Sequence, residues 1–189
     1  MKKILSFLLV FALLFSLSAC GKKKEKTAEN KVDLEYYAEL GQMPECPYKL
    51  GADPDEITEK LTAEESSAAA AGEEYPYALT EGEKTVRIDN GDFVYYYEKA
   101  KKDNGISYII ATDKGYGFEN GTSILEIRNA LPELKYTEED VTEDNSFFLM
   151  GIQDGTLLKY TFKNRVISFF FSENALTAVT LYDTDNWTE

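Results

Sequence analysis

The chain of 189 residues carries 34 Asp and Glu against 20 Lys and Arg, a formal charge of −14, with no histidine and two cysteines. A polyanion is held by clustered Lys and Arg that release its counterions, so this balance excludes nucleic acid as a partner. The lack of His excludes Ser-His-Asp and Cys-His nucleophiles, His-bearing metal sites and an imidazole pH switch, while 43% hydrophobic residues, with 13 Tyr and 11 Phe, supply a core.

Lys2 and Lys3 precede an uncharged apolar stretch from Ile4 to Leu17. That length is short for a spanning helix and suits the core of a signal peptide. It runs into Leu17-Ser18-Ala19-Cys20, followed by Gly21. A branched apolar residue, two small residues and a cysteine resemble the lipobox of bacterial lipoproteins, in which the cysteine is acylated by palmitate-type chains and becomes the mature N-terminus. The resemblance implies a signal peptide over 1–19, lipidation of Cys20 and an anchored location on the extracytoplasmic face of the cell membrane. Removal of residues 1–19 leaves 18 basic against 34 acidic residues, a charge of −16. The cluster Lys22-Lys23-Lys24-Glu25-Lys26 either rests on anionic headgroups or serves as a spacer. Polar, aperiodic residues 21–32 read as a tether, and 20–47 together form the lipidated cysteine, tether and lead-in to the folded part. With Cys20 acylated, Cys46 has no intrachain disulfide partner; between Pro44 and Pro47 it reads as an inert buried thiol.

Sliding the rest of the sequence by 70 residues sets Gly51, Asp53, Glu56, Ile57 and Leu61 on Gly121, Ser123, Glu126, Ile127 and Leu131. Each set reads as a helix start, with an N-cap and an acid three residues later as in a capping box. Pro54 occupies the first helical position, where its missing N–H costs nothing. Near the other end, Ile106, Ile109 and Asp113 meet Leu176, Val179 and Asp183 at the same spacing, while Tyr95-Tyr96-Tyr97 meets Phe169-Phe170-Phe171 at a spacing of 74. The pattern predicts an α+β protein of two tandem modules, 48–117 and 118–189, each a short helical segment packed on an antiparallel sheet. In the first, a helix runs from Pro54 through Leu61, with Ala68–Ala71 either continuing it or forming a loop, then strands over 85–89, 93–99 and 106–112. In the second, a helix covers 124–131 and stops at Pro132, with strands over 147–152, 157–162, 166–172 and 175–182. Asp89-Asn90-Gly91-Asp92, Asp103-Asn104-Gly105 and Asp154-Gly155 supply turn residues between strands.

Two units of about seventy residues, each opening on a glycine and a capped helix at Leu50-Gly51-Ala52-Asp53 and Glu119-Asn120-Gly121-Thr122-Ser123, resemble the tandem-repeat superfamily of beta-lactamase inhibitor protein and the SmpA/OmlA-type small lipoproteins. The resemblance covers Tyr48 to Asp183 and implies a binding module with no catalytic residue. The disulfides those inhibitors carry within their modules are missing here, so inhibition is not carried over.

Without His, an enzyme would rest on carboxylate pairs, as glycan hydrolases do, or on Ser with Lys. Glu138-Glu139-Asp140 and Glu143-Asp144 read instead as a solvated loop. The acidic turns Asp89–Asp92 and Asp183–Asn186 lack the alternating loop and terminal Glu of a calcium hand, so neither a metal nor another cofactor is assigned. Alternation sends Ser168, Phe170 and Ser172 to one strand face, and the serines mark that face as wet. The repeat then sends Tyr96 outward, with Tyr108 and Tyr182 on neighbouring strands and Lys159 on the polar side of its own. The expected function is that of a lipid-anchored, non-catalytic module binding a protein or peptide, cationic given the surrounding charge, through Tyr96, Tyr108, Lys159, Phe170 and Tyr182. The alternatives are an envelope enzyme acting on glycans through carboxylates, and a structural or assembly factor of the envelope.

Overall fold

The structure, a computed structural model, describes residues 32–141 and 154–187. Cys20, tether residues 21–31 and the strand expected over 147–152 therefore lie outside the described residues. In chain order the elements are α1 (Leu34–Leu40), α2 (Pro54–Ala71), β1 (Ala78–Glu81), β2 (Thr85–Asp89), β3 (Phe93–Glu98), a 3-10 helix (Lys99–Asn104) and β4 (Tyr108–Ala111). There follow β5 (Lys114–Gly115), β6 (Phe118–Glu119), α3 (Ile124–Ala130), β7 (Thr137–Val141), β8 (Gly155–Phe162), β9 (Arg165–Ser172) and β10 (Ala175–Asp183). Eight of the strands form one antiparallel sheet in the order β1-β2-β3-β4-β10-β9-β8-β7, and β5 and β6 make a separate small hairpin. The fold is α+β, as expected.

The helices begin where their caps dictate. Ser123 and Glu126 make the full reciprocal capping box at α3. At α2 the Asp53 carboxylate instead accepts from Asp55 N at 2.9 Å, and Pro54 fills the first helical position. The alanine run continues α2 to Ala71, where Gly72 turns left-handed and donates to Ala69 O. Only Pro54, Ile57 and Leu61 of α2 are buried, so its distal half is held by helix propensity and by the Tyr75 hydroxyl donating to Glu64.

Both helix starts are tied to the sheet by matching backbone bonds. Gly51 N donates to Ile106 O at 2.8 Å and Ile106 N to Ala52 O at 2.9 Å; Gly121 N donates to Leu176 O at 2.9 Å and Leu176 N to Thr122 O at 2.8 Å. Gly51 and Gly121 have φ of 81° and 85°, conformations that a side chain would strain.

Period-2 alternation gives the sheet two apolar faces. One carries Ile88, Tyr95, Ile109, Leu158, Ile167, Phe169, Val179 and Leu181, and packs with Leu34 and Ala38 of α1, Ile57 and Leu61, and Ile127 and Leu131. The other carries Val94, Tyr96, Tyr108, Ile110, Leu157, Phe170, Ala178 and Tyr182, joined by Trp187. β4 and β10 meet at the centre, where Ile110 lies opposite Thr180.

Four segments depart from the sequence expectations. Residues 34–40, expected within the lead-in, form α1: Asp33 caps it through Tyr36 N at 3.0 Å, and Leu34 and Ala38, one turn apart, face the core. Seven residues are too few for a periodicity signal to stand out. Glu138-Glu139-Asp140, expected as a solvated loop, lies in β7, whose partner β8 aligns Glu138 with Leu158. Residues 103–105, expected as a hairpin turn, end the 3-10 helix, with Gly105 at φ 74°. β1 was also unforeseen, because all four of its residues are exposed and no alternation marks it.

Candidate functional site

The five residues singled out as a partner surface do share one sheet face. Tyr96 stands opposite Tyr108 on β4, and Tyr108 opposite Tyr182 on β10, so three tyrosines form a row across three strands. Tyr108 and Tyr182 stack with ring centroids 5.1 Å apart and planes inclined by 7°, while Tyr96 meets Tyr108 edge-on at 6.3 Å. Phe170 lies opposite Leu157, two positions along β9 from Ser168, which faces Lys159.

The face is buried, which corrects the expectation of a wet surface. Tyr96, Tyr108 and Tyr182 are 3%, 2% and 4% exposed and Phe170 is 0%. The serine argument failed because a sheet covered on both sides no longer sorts polar from apolar by exposure. Ser168 and Thr180 sit opposite one another at the middle of the sheet, both buried. Lys159 is not a surface cation either; its ammonium pairs with Glu139 at 2.9 Å and its side chain is 13% exposed.

Trp187, the single tryptophan of the chain, was missed in the sequence. Its ring lies 5.0 Å from that of Tyr108 and 5.9 Å from that of Tyr96. A tight turn after β10 delivers it: Trp187 N donates to Asp183 O at 2.8 Å and Asp185 N to the Asp183 carboxylate at 2.9 Å. Asn104 Nδ2 donates to Asn186 Oδ1 at 2.7 Å and Asn164 Nδ2 to Asp185 Oδ2 at 3.0 Å, fixing the turn from two sides. A lone tryptophan in an otherwise polar tail was the available signal. Asp183 and Asp185 thus accept hydrogen bonds that hold this turn. In the other such turn, Asp89 accepts from Gly91 N at 2.8 Å and pairs with Arg87, and Asn90 Oδ1 accepts from Phe93 N at 2.8 Å.

Cys46 is buried in the helix-side core. Its thiol donates to Tyr48 O at 3.0 Å and lies 3.5 Å from the Tyr95 hydroxyl. Burial pushes the thiol pKa up more than these hydrogen bonds lower it, which leaves the group protonated and unreactive at neutral pH. Burial likewise raises Tyr96, with the nearby Arg87 pulling the other way.

The described residues line shallow clefts. One of about 260 Å³ is lined by Val32, Leu34, Ala130, Leu131, Pro132 and Leu134 among others, and one of about 180 Å³ lies between Pro44, Lys114 and Tyr116. Both fall below the ~300–1,000 Å³ of typical small-molecule sites. Among the described residues no helix is long and apolar enough to cross a membrane.

Among the described residues, the end strands of the sheet present backbone at its edges. β7 ends it at one side and β1 at the other. β7 is lined by Glu138, Glu139 and Asp140, and Glu138 pairs with Arg128. β1 reads Ala78-Leu79-Thr80-Glu81, is exposed along its length, and has one ion pair, Lys99 to Glu81 at 2.9 Å. The chain matches no protein-family model, no curated protein and no solved structure.

Proposed function

We propose that this chain is a membrane-anchored, extracytoplasmic lipoprotein acting as a non-catalytic module that binds a protein or peptide. Leu17-Ser18-Ala19-Cys20 behind an apolar stretch carries the proposed location. A broad sheet with an exposed end strand supports recognition of another polypeptide. The acidic charge favours a cationic partner.

The module organisation belongs to the same proposal: two copies of one helix-plus-sheet unit, as in the superfamily of beta-lactamase inhibitor protein and the SmpA/OmlA-type lipoproteins. Support comes from the strand registers. Ile110 lies opposite Thr180, its own counterpart at a spacing of 70 residues, which is the arrangement that a local twofold between the last strands would produce. Ile109 pairs with Tyr95 and Val179 with Phe169, so a spacing of 70 on the last strand entails 74 on its neighbour, as the aromatic triplets suggested. The Gly51–Ile106 and Gly121–Leu176 backbone bonds repeat at a spacing of 70 as well.

Labelling with a radioactive fatty acid, combined with membrane fractionation, tests the anchor. The wild type is expected to take label and sediment with membranes, and Cys20→Ala to take none. A wild-type protein that is unlabelled and freely soluble overturns the location. Crosslinking of the anchored protein in its own membrane then tests binding, and the absence of any polypeptide adduct overturns the binding role.

A further inference from the structure

We infer that the outer edge of β1, over Leu79 to Glu81, is a docking site for an extended basic peptide that adds to the sheet as a ninth strand. This rests on the proposed binding role and supplies the surface that the buried tyrosine face does not. The backbone groups of β1 divide in a way the hairpin fixes. Gly82 N donates to Thr85 O at 2.9 Å, so Gly82 and Thr85 are a hydrogen-bonded pair. In an antiparallel ladder such pairs alternate with non-bonded ones. With Thr80 opposite Arg87 and Ala78 opposite Asp89, Thr80 and Ala78 therefore turn their N–H and C=O groups to β2. Leu79 and Glu81 turn theirs outward. The next strand pair agrees, since Lys99 N donates to Lys84 O at 2.8 Å, which directs Val86 and Ile88 toward β3 and leaves Thr85, Arg87 and Asp89 for β1.

The outward groups are accessible and lie beside apolar side chains. Leu79 is 46% exposed. It lies opposite Ile88 and hence on the helix side of the sheet, as does Tyr77, which packs partly against the core there. An added strand would thus find two backbone donors and two acceptors, with a Tyr77–Leu79 surface for every second side chain, the combination used in strand addition. Natural sheets blunt free edges with charge, bulges or proline. The β7 edge carries Glu138, Glu139 and Asp140 in succession, whereas β1 pairs with β2 in unbroken register and contains no proline.

Charge selects the occupant. Glu73, Glu74 and Glu83 flank the edge and are exposed, against Lys84, while Glu81 and Lys99 are paired with each other. A second copy of the processed chain would bring the same acids and a net −16 to the contact. Four residues of strand also fall short of the ~1,200–2,000 Å² that a stable protein pair buries. A short basic peptide avoids the repulsion and needs no larger interface.

The test uses the full chain in lipid nanodiscs and a short synthetic peptide alternating valine and lysine, with a valine–glutamate peptide as control. Backbone amide exchange of Leu79 and Glu81 is expected to slow on adding the lysine peptide. The glutamate peptide is expected to bind at least about tenfold weaker, and added salt to narrow the difference. Leu79→Pro removes only an outward N–H and should abolish binding while the unfolding midpoint, followed by Trp187 fluorescence, stays near that of wild type. Leu79→Lys keeps that N–H and adds a positive charge, and should weaken the lysine peptide about tenfold if Leu79→Pro proves unstable. Protection at other amides, equal binding of both peptides, binding of neither, or unchanged affinity in both variants overturns the assignment, as does self-association through this edge. If Leu79→Pro in the native membrane still crosslinks to the polypeptide that wild type captures, the edge assignment fails and the binding role stands; if wild type captures none, the binding role itself fails.

Discussion

Replacing Arg165 with methionine should release α1 from the sheet while leaving the rest of the fold in place. The Arg165 guanidinium donates to Ala38 O and Glu39 O, both at 2.8 Å, at the C-terminal end of α1, where carbonyls lack helical partners. It also lies 3.8 Å from the Asp183 carboxylate. A helix of seven residues does not stand alone, so α1 depends on this clamp and on burial of Leu34 and Ala38. Methionine keeps the apolar stem and removes the charge. Ala38 O retains Gly41 N at 3.0 Å, so one unshared charged hydrogen bond, to Glu39 O, is lost outright. A charged bond contributes about 1.5–3 kcal/mol, which predicts a local loss of that size. At about 1.36 kcal/mol per decade, amides protected by α1 should exchange roughly 10- to 150-fold faster. Native-state hydrogen exchange reads this at Tyr37 to Leu40, with strand β9 as the internal reference. Unchanged exchange in α1, or equal acceleration in β9 and α1, would refute the reasoning: the first makes the clamp idle, the second makes α1 inseparable from the sheet.

Phe170→Ala should cost about 3–5 kcal/mol in urea unfolding, because its fully buried ring fills the second sheet face; a loss under about 1 kcal/mol would mean the face is open in solution. Alkaline pH should unfold the protein: burial pushes Tyr160 up to about 12, the hydrogen bond to Glu64 does the same for Tyr75, and burial raises Tyr95 and Tyr116 as well. Since the folded state favours the neutral phenols, their stabilisation is complete below about pH 10 and is lost as pH rises through 12, with tyrosinate absorbance and circular dichroism changing together; gradual ionisation without loss of structure would contradict it.

The helix starts and most strands could be read from the sequence because their signals are local. Caps at Asp53 and Ser123, Gly-containing turns and period-2 runs such as Val166–Ser172 act within a few residues. The common face of Tyr96, Tyr108, Phe170 and Tyr182 followed from strand alternation together with the internal repeat. Whether that face was wet did not, because burial is set by what packs on it, and Ser168 and Thr180 are small enough to sit in a dry layer. β1 and β7 were missed for a related reason: an end strand is defined by its neighbour's backbone, so sequences such as Ala78-Leu79-Thr80-Glu81 and Thr137-Glu138-Glu139-Asp140 carry little strand pattern of their own. The clamp from Arg165 to α1 joins residues more than a hundred positions apart, beyond any spacing rule.

The pairing of β4 with β10 bears on how the chain reaches its fold. Ala111 closes β4, yet β10 does not begin until Ala175, more than sixty residues later. Until β10 is in place, the first four strands leave the β4 edge, Tyr108-Ile109-Ile110-Ala111, lacking its neighbour. Every residue of that strand is buried in the finished fold, and a second chain still folding carries the same β10 sequence that would complete it. Exchange of β10 between two chains is therefore a misassembly that this topology invites, and mass action makes it rise with the concentration of chains still folding.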